Sequence, residues 1–150
     1  MSSTMVKKLG VTSDLEPVLV LPLGVKDTTP LEMASAFSTI PNGGIHQPSY
    51  YVDKIEDRTG KVLYEHQPNG VRGVSQQTAC LATQILQANV TGGTGTRARL
   101  SKQDAAGKTG TTDDNTDAWF VGFTPYLTTA VWMGNPRDYQ HPMKDRKSVV

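Results

Sequence analysis

Apolar residues recur at helical spacing directly after a strong helix start. Thr29, Pro30 and Glu32 form the pattern of a capping box with proline at the first helical position. Behind them the apolar positions are Met33, Ala36, Phe37 and Ile40. Because these positions follow the i, i+3, i+4, i+7 rule, the pattern predicts a helix near residues 30–41 with one apolar face.

A second helix is predicted near residues 76–90, with Ser75 as its N-cap. Its apolar face would contain Leu81, Ala82, Ile85 and Leu86. Cys80 falls inside this helix, and no neighbour in sequence would lower its pKa. We therefore expect Cys80 to be a small buried thiol and not a nucleophile.

The remaining apolar segments are short and typical of strands. Residues 50–64 alternate around the turn sequence 57–60, which predicts a surface hairpin. The segments 105–111, 118–123 and 127–133 predict at least three strands, and the last two are apolar on both faces. Such strands are expected in the centre of a sheet with helices on either side. The fold class predicted is α+β, with a mainly antiparallel sheet covered by helices.

Composition narrows the functional classes. Of 150 residues, 37% are hydrophobic and 19% are charged, and the formal net charge is +1. The basic residues are scattered, so we expect no nucleic-acid partner. His46, His66 and His141 lack metal-ligand spacing, so neither a metal nor another cofactor is expected. No apolar run approaches the roughly 20 residues of a membrane-spanning helix, and the N-terminus lacks a signal-peptide pattern.

The most informative residues for chemistry are Lys108, Thr109, Gly110 and Thr111. A phosphate loop is improbable here, because that motif needs glycine five residues before Gly107 and the chain has Lys102. In a strand, Thr109 and Thr111 would share a face, while Gly110 would let a ligand approach the backbone. Such a strand can bind a carboxylate and offer an N–H to a developing oxyanion. The four residues alone, however, favour a plain Gly- and Thr-rich edge strand.

Longer segments of the sequence favour a ligand-binding strand over a plain edge strand. Residues 108–112, 117–125 and 130–134, preceded by the shorter pieces 8–10, 23–25, 29–34, 42–44 and 93–95, occur in a specific order. This ordered set resembles the distal half of the transpeptidase domain of penicillin-binding proteins, above all the bifunctional class A type. The resemblance spans about residues 5–143. It implies a partial transpeptidase fold of the β-lactamase-like serine acyltransferase kind.

The resemblance also implies an activity and residue roles. Members of the family cross-link peptidoglycan stem peptides ending in D-Ala-D-Ala and are acylated by β-lactams, using a serine in S-x-x-K and a proton relay through S-x-N. By this resemblance, Lys108 supplies positive potential and helps the proton relay, while Thr109 and Thr111 bind the terminal carboxylate. The Thr111 N–H would give half of the oxyanion hole, and Gly110 would keep the wall flat.

The chain departs from the family pattern at one decisive point. No serine has lysine three positions later, and no serine or tyrosine has asparagine two positions later. We therefore expect residues 1–143 to be a partial domain that lacks its N-terminal half and residues 144–150 to be a tail. We also expect the chain alone to show neither turnover nor covalent penicillin labelling. A location on the extracytoplasmic face of the cytoplasmic membrane is implied by the resemblance only.

Other hypotheses remain open at this stage. The chain could be a non-catalytic remnant that binds the cell wall or a partner, or part of a β-lactam hydrolase. The K-T-G strand, which is the strand containing Lys108, Thr109 and Gly110, does not by itself distinguish these functions. Asp113, Asp114 and Asp117 could suggest glycoside hydrolysis, but in a Thr/Asn-rich turn we expect loop hydrogen bonds. Trp119 and Trp132 are expected to pack in the core.

Overall fold

The computed structural model of the protein describes residues 2–13, 28–111 and 117–135. Within these residues the helices are α1 (Ser2–Lys8), α2 (Pro30–Ser38) and α3 (Gln76–Gly92), with a 3-10 turn at Thr96–Ala98. The strands are β1 (Ile45–His46), β2 (Lys54–Glu56), β3 (Val62–Glu65), β4 (Val71–Arg72), β5 (Ala106–Thr111), β6 (Asp117–Phe123) and β7 (Thr128–Gly134). The predicted C-terminal tail, including the boundary at residues 143–144, lies outside the described residues.

The predicted capping box at the start of α2 is present. The Thr29 hydroxyl accepts from the Glu32 N–H at 3.2 Å, and the Glu32 carboxylate accepts from the Thr29 N–H at 3.0 Å. The helix ends at Ser38, three residues before the predicted end, and the chain turns through Gly43 and Gly44. Both glycines have positive φ, of 63° and 88°, a conformation that costs side-chain-bearing residues energy.

The segment after α1 packs against α2. Val11 and Ala36 are buried together, with Val6 and Leu9 against them. Gly10, with φ of 89°, lies directly on the His46 imidazole, which is also within 3.0 Å of the Ser35 hydroxyl. Burial lowers the pKa of His46. This corner therefore joins three parts of the chain that are separate in sequence.

The predicted surface hairpin is confirmed as antiparallel β2 and β3, whose residues are all exposed. Its turn depends on Asp57, whose Oδ1 accepts from the Thr59 N–H at 2.8 Å and the Lys61 N–H at 3.1 Å. The Thr59 hydroxyl also donates to this oxygen and contributes most to the lowered pKa of Asp57, and the two backbone N–H groups lower the pKa further. A second small ladder, β1 with β4, had no pattern in the sequence that predicted it.

The predicted three-stranded antiparallel sheet is confirmed, in the order β5–β6–β7. β6 is the central strand, and Ala118, Val121 and Phe123 are buried. Among the described residues β7 is the outer strand of the sheet, and the central position predicted for it is not observed there. Its residues alternate between half-buried and exposed, because a helix covers only one of its faces among the described residues.

Helix α3 is also present, with the Ser75 hydroxyl accepting from the Thr78 N–H at 3.1 Å. Its buried residues, however, are Ala79 and Val90. Half of the predicted apolar face is uncovered, since Leu81 is 58% and Ile85 is 62% exposed, while Ala82 and Leu86 are half-buried. The prediction of a buried Cys80 is also wrong, because this residue lies on the exposed side of the helix.

Candidate active-site wall

Strand β5 forms one edge of the sheet. Its inner edge pairs with β6 through residues 106–111, and its outer edge pairs with no strand in the described part of the chain. An edge strand has backbone N–H and C=O groups free to bind a ligand. The four predicted site residues, Lys108, Thr109, Gly110 and Thr111, all lie in this strand, and each is half-buried or exposed.

The register places these four side chains on two faces. Thr109 lies opposite Phe120 and Thr111 lies opposite Ala118, so the two threonines share one face of the sheet. Lys108 lies opposite Val121 and projects from the other face. The predicted alternation along the strand is therefore present.

The position of α2 identifies the Lys108 face. Thr128 lies opposite Phe123, which is on the same face as Val121 and Lys108. Thr128 lines a hollow of about 320 Å³ together with residues of α2, among them Ala34 and Ser38. Helix α2 therefore packs on the Lys108 face.

Backbone groups at alternate positions of β5 are oriented to its outer edge. The Gly107 carbonyl accepts from the Asn89 amide at 2.8 Å, and the Thr109 carbonyl accepts from the Lys108 ammonium at 2.5 Å. In an antiparallel ladder the N–H and C=O of alternate residues point to the same side. The Thr111 N–H therefore shares the outer edge with these two carbonyls and is in position to act as a hydrogen-bond donor there.

Gly110 is less closely surrounded than Gly107. A Cβ added at Gly110 would lie 3.3 Å from the Trp119 Cβ, which is a tight contact, and 4.0 Å from the Trp119 Cγ. At Gly107, by contrast, a Cβ would come within 2.6 Å of the Phe120 ring. Packing against the Phe120 ring therefore leaves no room for a side chain at Gly107, while a side chain at Gly110 would press on Trp119.

Asn89, near the end of α3, holds the strand in place, and sequence patterns did not single it out. Besides donating to the Gly107 carbonyl, its side chain accepts from the Thr94 N–H and the Thr94 hydroxyl, both at 3.1 Å. The Thr94 hydroxyl lies 2.8 Å from the Thr109 hydroxyl. The Gly93-Thr94-Gly95 piece could have pointed to this loop, but only the fold brings it to β5.

The other candidate residues lie in β6 and β7 or outside the described residues. Asp117 accepts a hydrogen bond from the Trp132 indole N–H at 2.8 Å, which is a structural cross-strand contact. Trp119 and Trp132 are directly opposite each other and half-buried. Asp113, Asp114 and His141 are outside the described residues. In the described part of the chain, no three His, Cys, Asp or Glu side chains are grouped to hold a metal.

A shallow hollow of about 440 Å³ lies on α3, lined by Gln76, Gln77, Cys80, Leu81 and Gln84. Neither this hollow nor the one beside α2 includes a residue of β5. No helix within the described ranges is both long and apolar enough to cross a bilayer.

Comparison with known proteins agrees with this architecture. The family model described as "Penicillin binding protein transpeptidase domain" matches residues 18–141. Penicillin-binding protein 1A of Neisseria meningitidis is 43% identical over 129 residues, which cover 82% of this chain and 16% of the relative. The corresponding protein of Aquifex aeolicus is 40% identical over 128 residues, covering 85% of this chain and 18% of the relative. The chain thus spans about a sixth of the length of these relatives.

Solved structures show the same fold. Penicillin-binding protein 1A from Haemophilus influenzae superposes with a TM-score of 0.79 at 28% identity, over 91% of this chain and 26% of that one. PonA1 from Mycobacterium tuberculosis in complex with penicillin V gives 0.80 at 28% identity, over 96% of this chain and 43% of that one. The partial α+β transpeptidase fold predicted from sequence is thereby confirmed. By family match, identity and fold, the chain belongs to the penicillin-binding protein transpeptidase family.

Proposed function

We propose that this chain supplies the carboxylate-binding and oxyanion wall of a D,D-transpeptidase that cross-links peptidoglycan stem peptides and is acylated by β-lactams. The single observation that supports it most is the outer edge of β5. There, the hydroxyls of Thr109 and Thr111 share a face and the Thr111 N–H is directed outward. A peptide ending in D-Ala-D-Ala offers a carboxylate and a scissile carbonyl within a few bonds of each other, so donors on neighbouring residues of one strand edge suit both groups.

Each residue has a distinct role in this proposal. The Thr109 and Thr111 hydroxyls donate to the terminal carboxylate of the stem peptide or of the β-lactam. The Thr111 N–H donates to the carbonyl oxygen as it becomes negative. Lys108 adds positive potential at the outer edge of β5, where its ammonium group donates to the Thr109 carbonyl, and Gly110 admits the ligand to the backbone. None of these groups is a nucleophile.

The attacking serine must therefore come from a segment other than the K-T-G wall. Because no serine here is followed by lysine three positions later, we expect the 150 residues alone to bind the ligand weakly and to show no acylation. Residues 1–143 form the partial domain in this proposal and residues 144–150 form a tail. The intact protein would act on the extracytoplasmic face of the cytoplasmic membrane, where its peptidoglycan substrate lies.

A chimera tests the proposal directly. The matched segment of this chain replaces the corresponding 129 residues of the Neisseria meningitidis relative, and the product is exposed to a fluorescent penicillin. We expect covalent labelling of the chimera and none of the isolated chain. Thr109→Val and Thr111→Val should each slow acylation by about 10- to 150-fold, which corresponds to one hydrogen bond to a charged group. Thr129→Val, on exposed β7, is the matched control and should leave the rate unchanged.

Three results would count against the proposal. Equal acylation rates for the Thr111→Val and Thr129→Val chimeras would show that the Thr111 hydroxyl does not bind the carboxylate. Labelling of the isolated chain at one of its own serines would contradict the need for an external nucleophile. Rapid release of the opened β-lactam with repeated turnover would favour a β-lactam hydrolase instead.

A further inference from the structure

A hydroxyl from outside the K-T-G strand touches the proposed carboxylate site. Thr94 follows α3, and its Oγ1 lies 2.8 Å from the Thr109 Oγ1. The same Thr94 hydroxyl is 3.1 Å from the Asn89 Oδ1. Three side chains from the helix, the loop and the strand thus form one continuous chain of hydrogen bonds that ends at Thr109.

The direction of this chain is determined at Asn89. The Gly107 carbonyl can only accept, so the amide nitrogen of Asn89 must face it. The Thr94 backbone N–H can only donate, so the amide oxygen must face Thr94. Two independent backbone groups therefore set the same orientation of the Asn89 side chain, and the group it presents to the Thr94 hydroxyl is an acceptor.

It follows that the Thr109 hydroxyl donates to the Thr94 hydroxyl when the protein has no ligand bound. The single hydroxyl proton of Thr94 is directed to Asn89, so the short contact with Thr109 requires the Thr109 proton. In this state the Thr109 proton is turned away from a ligand. A carboxylate can receive it only if the hydroxyls rotate.

We infer that Thr94 is a positioning residue of the carboxylate site, which reverses its hydrogen bond when an anion binds. This inference rests on the proposed function of β5. When the carboxylate binds, Thr109 donates to it, and Thr94 rotates its hydroxyl from Asn89 to donate to Thr109. The Thr94–Thr109 hydrogen bond exists in both states and only its direction changes.

The exchange favours binding. The hydrogen bond given up, from the Thr94 hydroxyl to Asn89, is long at 3.1 Å, and the same Asn89 oxygen keeps the Thr94 N–H. The hydrogen bond gained is charge-assisted, and a hydroxyl that accepts one hydrogen bond donates another more strongly. Holding the Thr109 side chain in one rotamer before binding also reduces the entropy lost on binding.

Thr94→Val tests this inference, because valine keeps the shape and the backbone N–H and removes only the hydroxyl. The probe is N-acetyl-D-Ala-D-Ala, titrated into the full chain while the amide NMR signals of Thr109 and Thr111 are followed. We expect affinity to fall about three- to tenfold, which corresponds to one net hydrogen bond. The Thr109 χ1 couplings should change from those of one rotamer to an average. Thr94→Ser should retain the wild-type affinity within about twofold and the single rotamer.

The controls separate this inference from the function on which it rests. The same peptide with a C-terminal amide should not distinguish the variants, and the unfolding midpoints should agree within about 2 °C. If the wild-type chain binds the peptide and Thr94→Val binds it equally or more tightly, the reversal is wrong while the proposed function stands. An unchanged Thr109 rotamer in Thr94→Val would also contradict it. If no variant binds the peptide, both proposals fail.

Discussion

At the scale of single residues, Glu32 makes more contacts than a helix cap requires. Its carboxylate closes the capping box with Thr29 and also accepts from the backbone N–H groups of Thr12 and Ser13, at 2.8 and 2.7 Å. The hydroxyls of those three residues add further hydrogen bonds. One side chain therefore joins the segment after α1 to the start of α2. These hydrogen bonds, with the Thr29 N–H first, hold the pKa of Glu32 far below its usual range.

This arrangement predicts a pH-dependent loss of stability on Glu32→Gln. Because the folded chain lowers the pKa of Glu32, its contribution is complete above the ordinary glutamate pKa of 4.5 and disappears as the pH falls below it. We expect Glu32→Gln to lower the free energy of unfolding by about 1–2 kcal/mol at pH 7. The difference should shrink below pH 4.5 in urea titrations.

Glu65→Gln is the control for that measurement, since Glu65 is exposed in β3. The free energy of unfolding of Glu65→Gln should match that of the wild type both at pH 7 and below pH 4.5. If Glu32→Gln is as stable as the wild type at pH 7, the prediction is wrong. The hydrogen bonds of the carboxylate would then add nothing to the free energy of unfolding beyond what water provides.

At the scale of elements, two glycines separate backbone strain from packing. Gly10 and Gly60 have nearly the same positive φ, 89° and 84°. Gly60 lies in the turn of the surface hairpin, where an added Cβ would have no neighbour within 4 Å. At Gly10 the same Cβ would come within 2.1 Å of the His46 ring nitrogen. The junction of α1 with β1 therefore has no room for a methyl group, while the hairpin turn has.

Substitution by alanine should separate the two effects. Gly60→Ala is expected to cost about 1 kcal/mol, the strain of a left-handed residue. Gly10→Ala adds the displacement of His46 and should cost about 3 kcal/mol or more. Denaturant unfolding of both variants gives the comparison. Equal losses would mean that the segment around Gly10 moves freely away from His46.

At the scale of the whole molecule, much apolar surface is exposed. On α3, Leu81 and Ile85 are more than half exposed, and on β7 Val131 and Met133 are about 40% exposed. Contiguous apolar surface of this kind marks a site of association. The chain spans about a sixth of its curated relatives, so these surfaces are expected to lie against other parts of a longer protein.

Self-association of the isolated chain should follow from this exposure. We expect the mean mass in sedimentation velocity to rise with protein concentration. Leu81→Glu combined with Ile85→Lys places a favourable i, i+4 charge pair on α3, so the helix is preserved while its apolar face is removed. This variant should associate clearly less. Gln84→Glu, on the same exposed side of the helix, is the control. A chain that stays monomeric at all concentrations would contradict the expectation.

The sequence by itself determined the local elements and the family of this protein. The capping box at residues 29–32, the Ser75 cap, the hairpin turn and the alternation in β5 all depend on neighbouring residues, whose interactions are short in range. The K-T-G piece and its ordered companions were sufficient to predict the transpeptidase fold, because they occur together at specific spacing.

Only the tertiary structure decided which surfaces are covered. In the described part of the chain β7 is an edge strand and Cys80 is exposed, because burial depends on what packs from elsewhere in the chain and apolar character alone does not show it. The same holds for the site. Asn89, Thr94 and Thr109 are 20 residues apart in sequence from first to last, and only the packing of α3 beside β5 places their polar atoms within hydrogen-bond distance. Contacts of that range leave no periodic pattern in a single sequence.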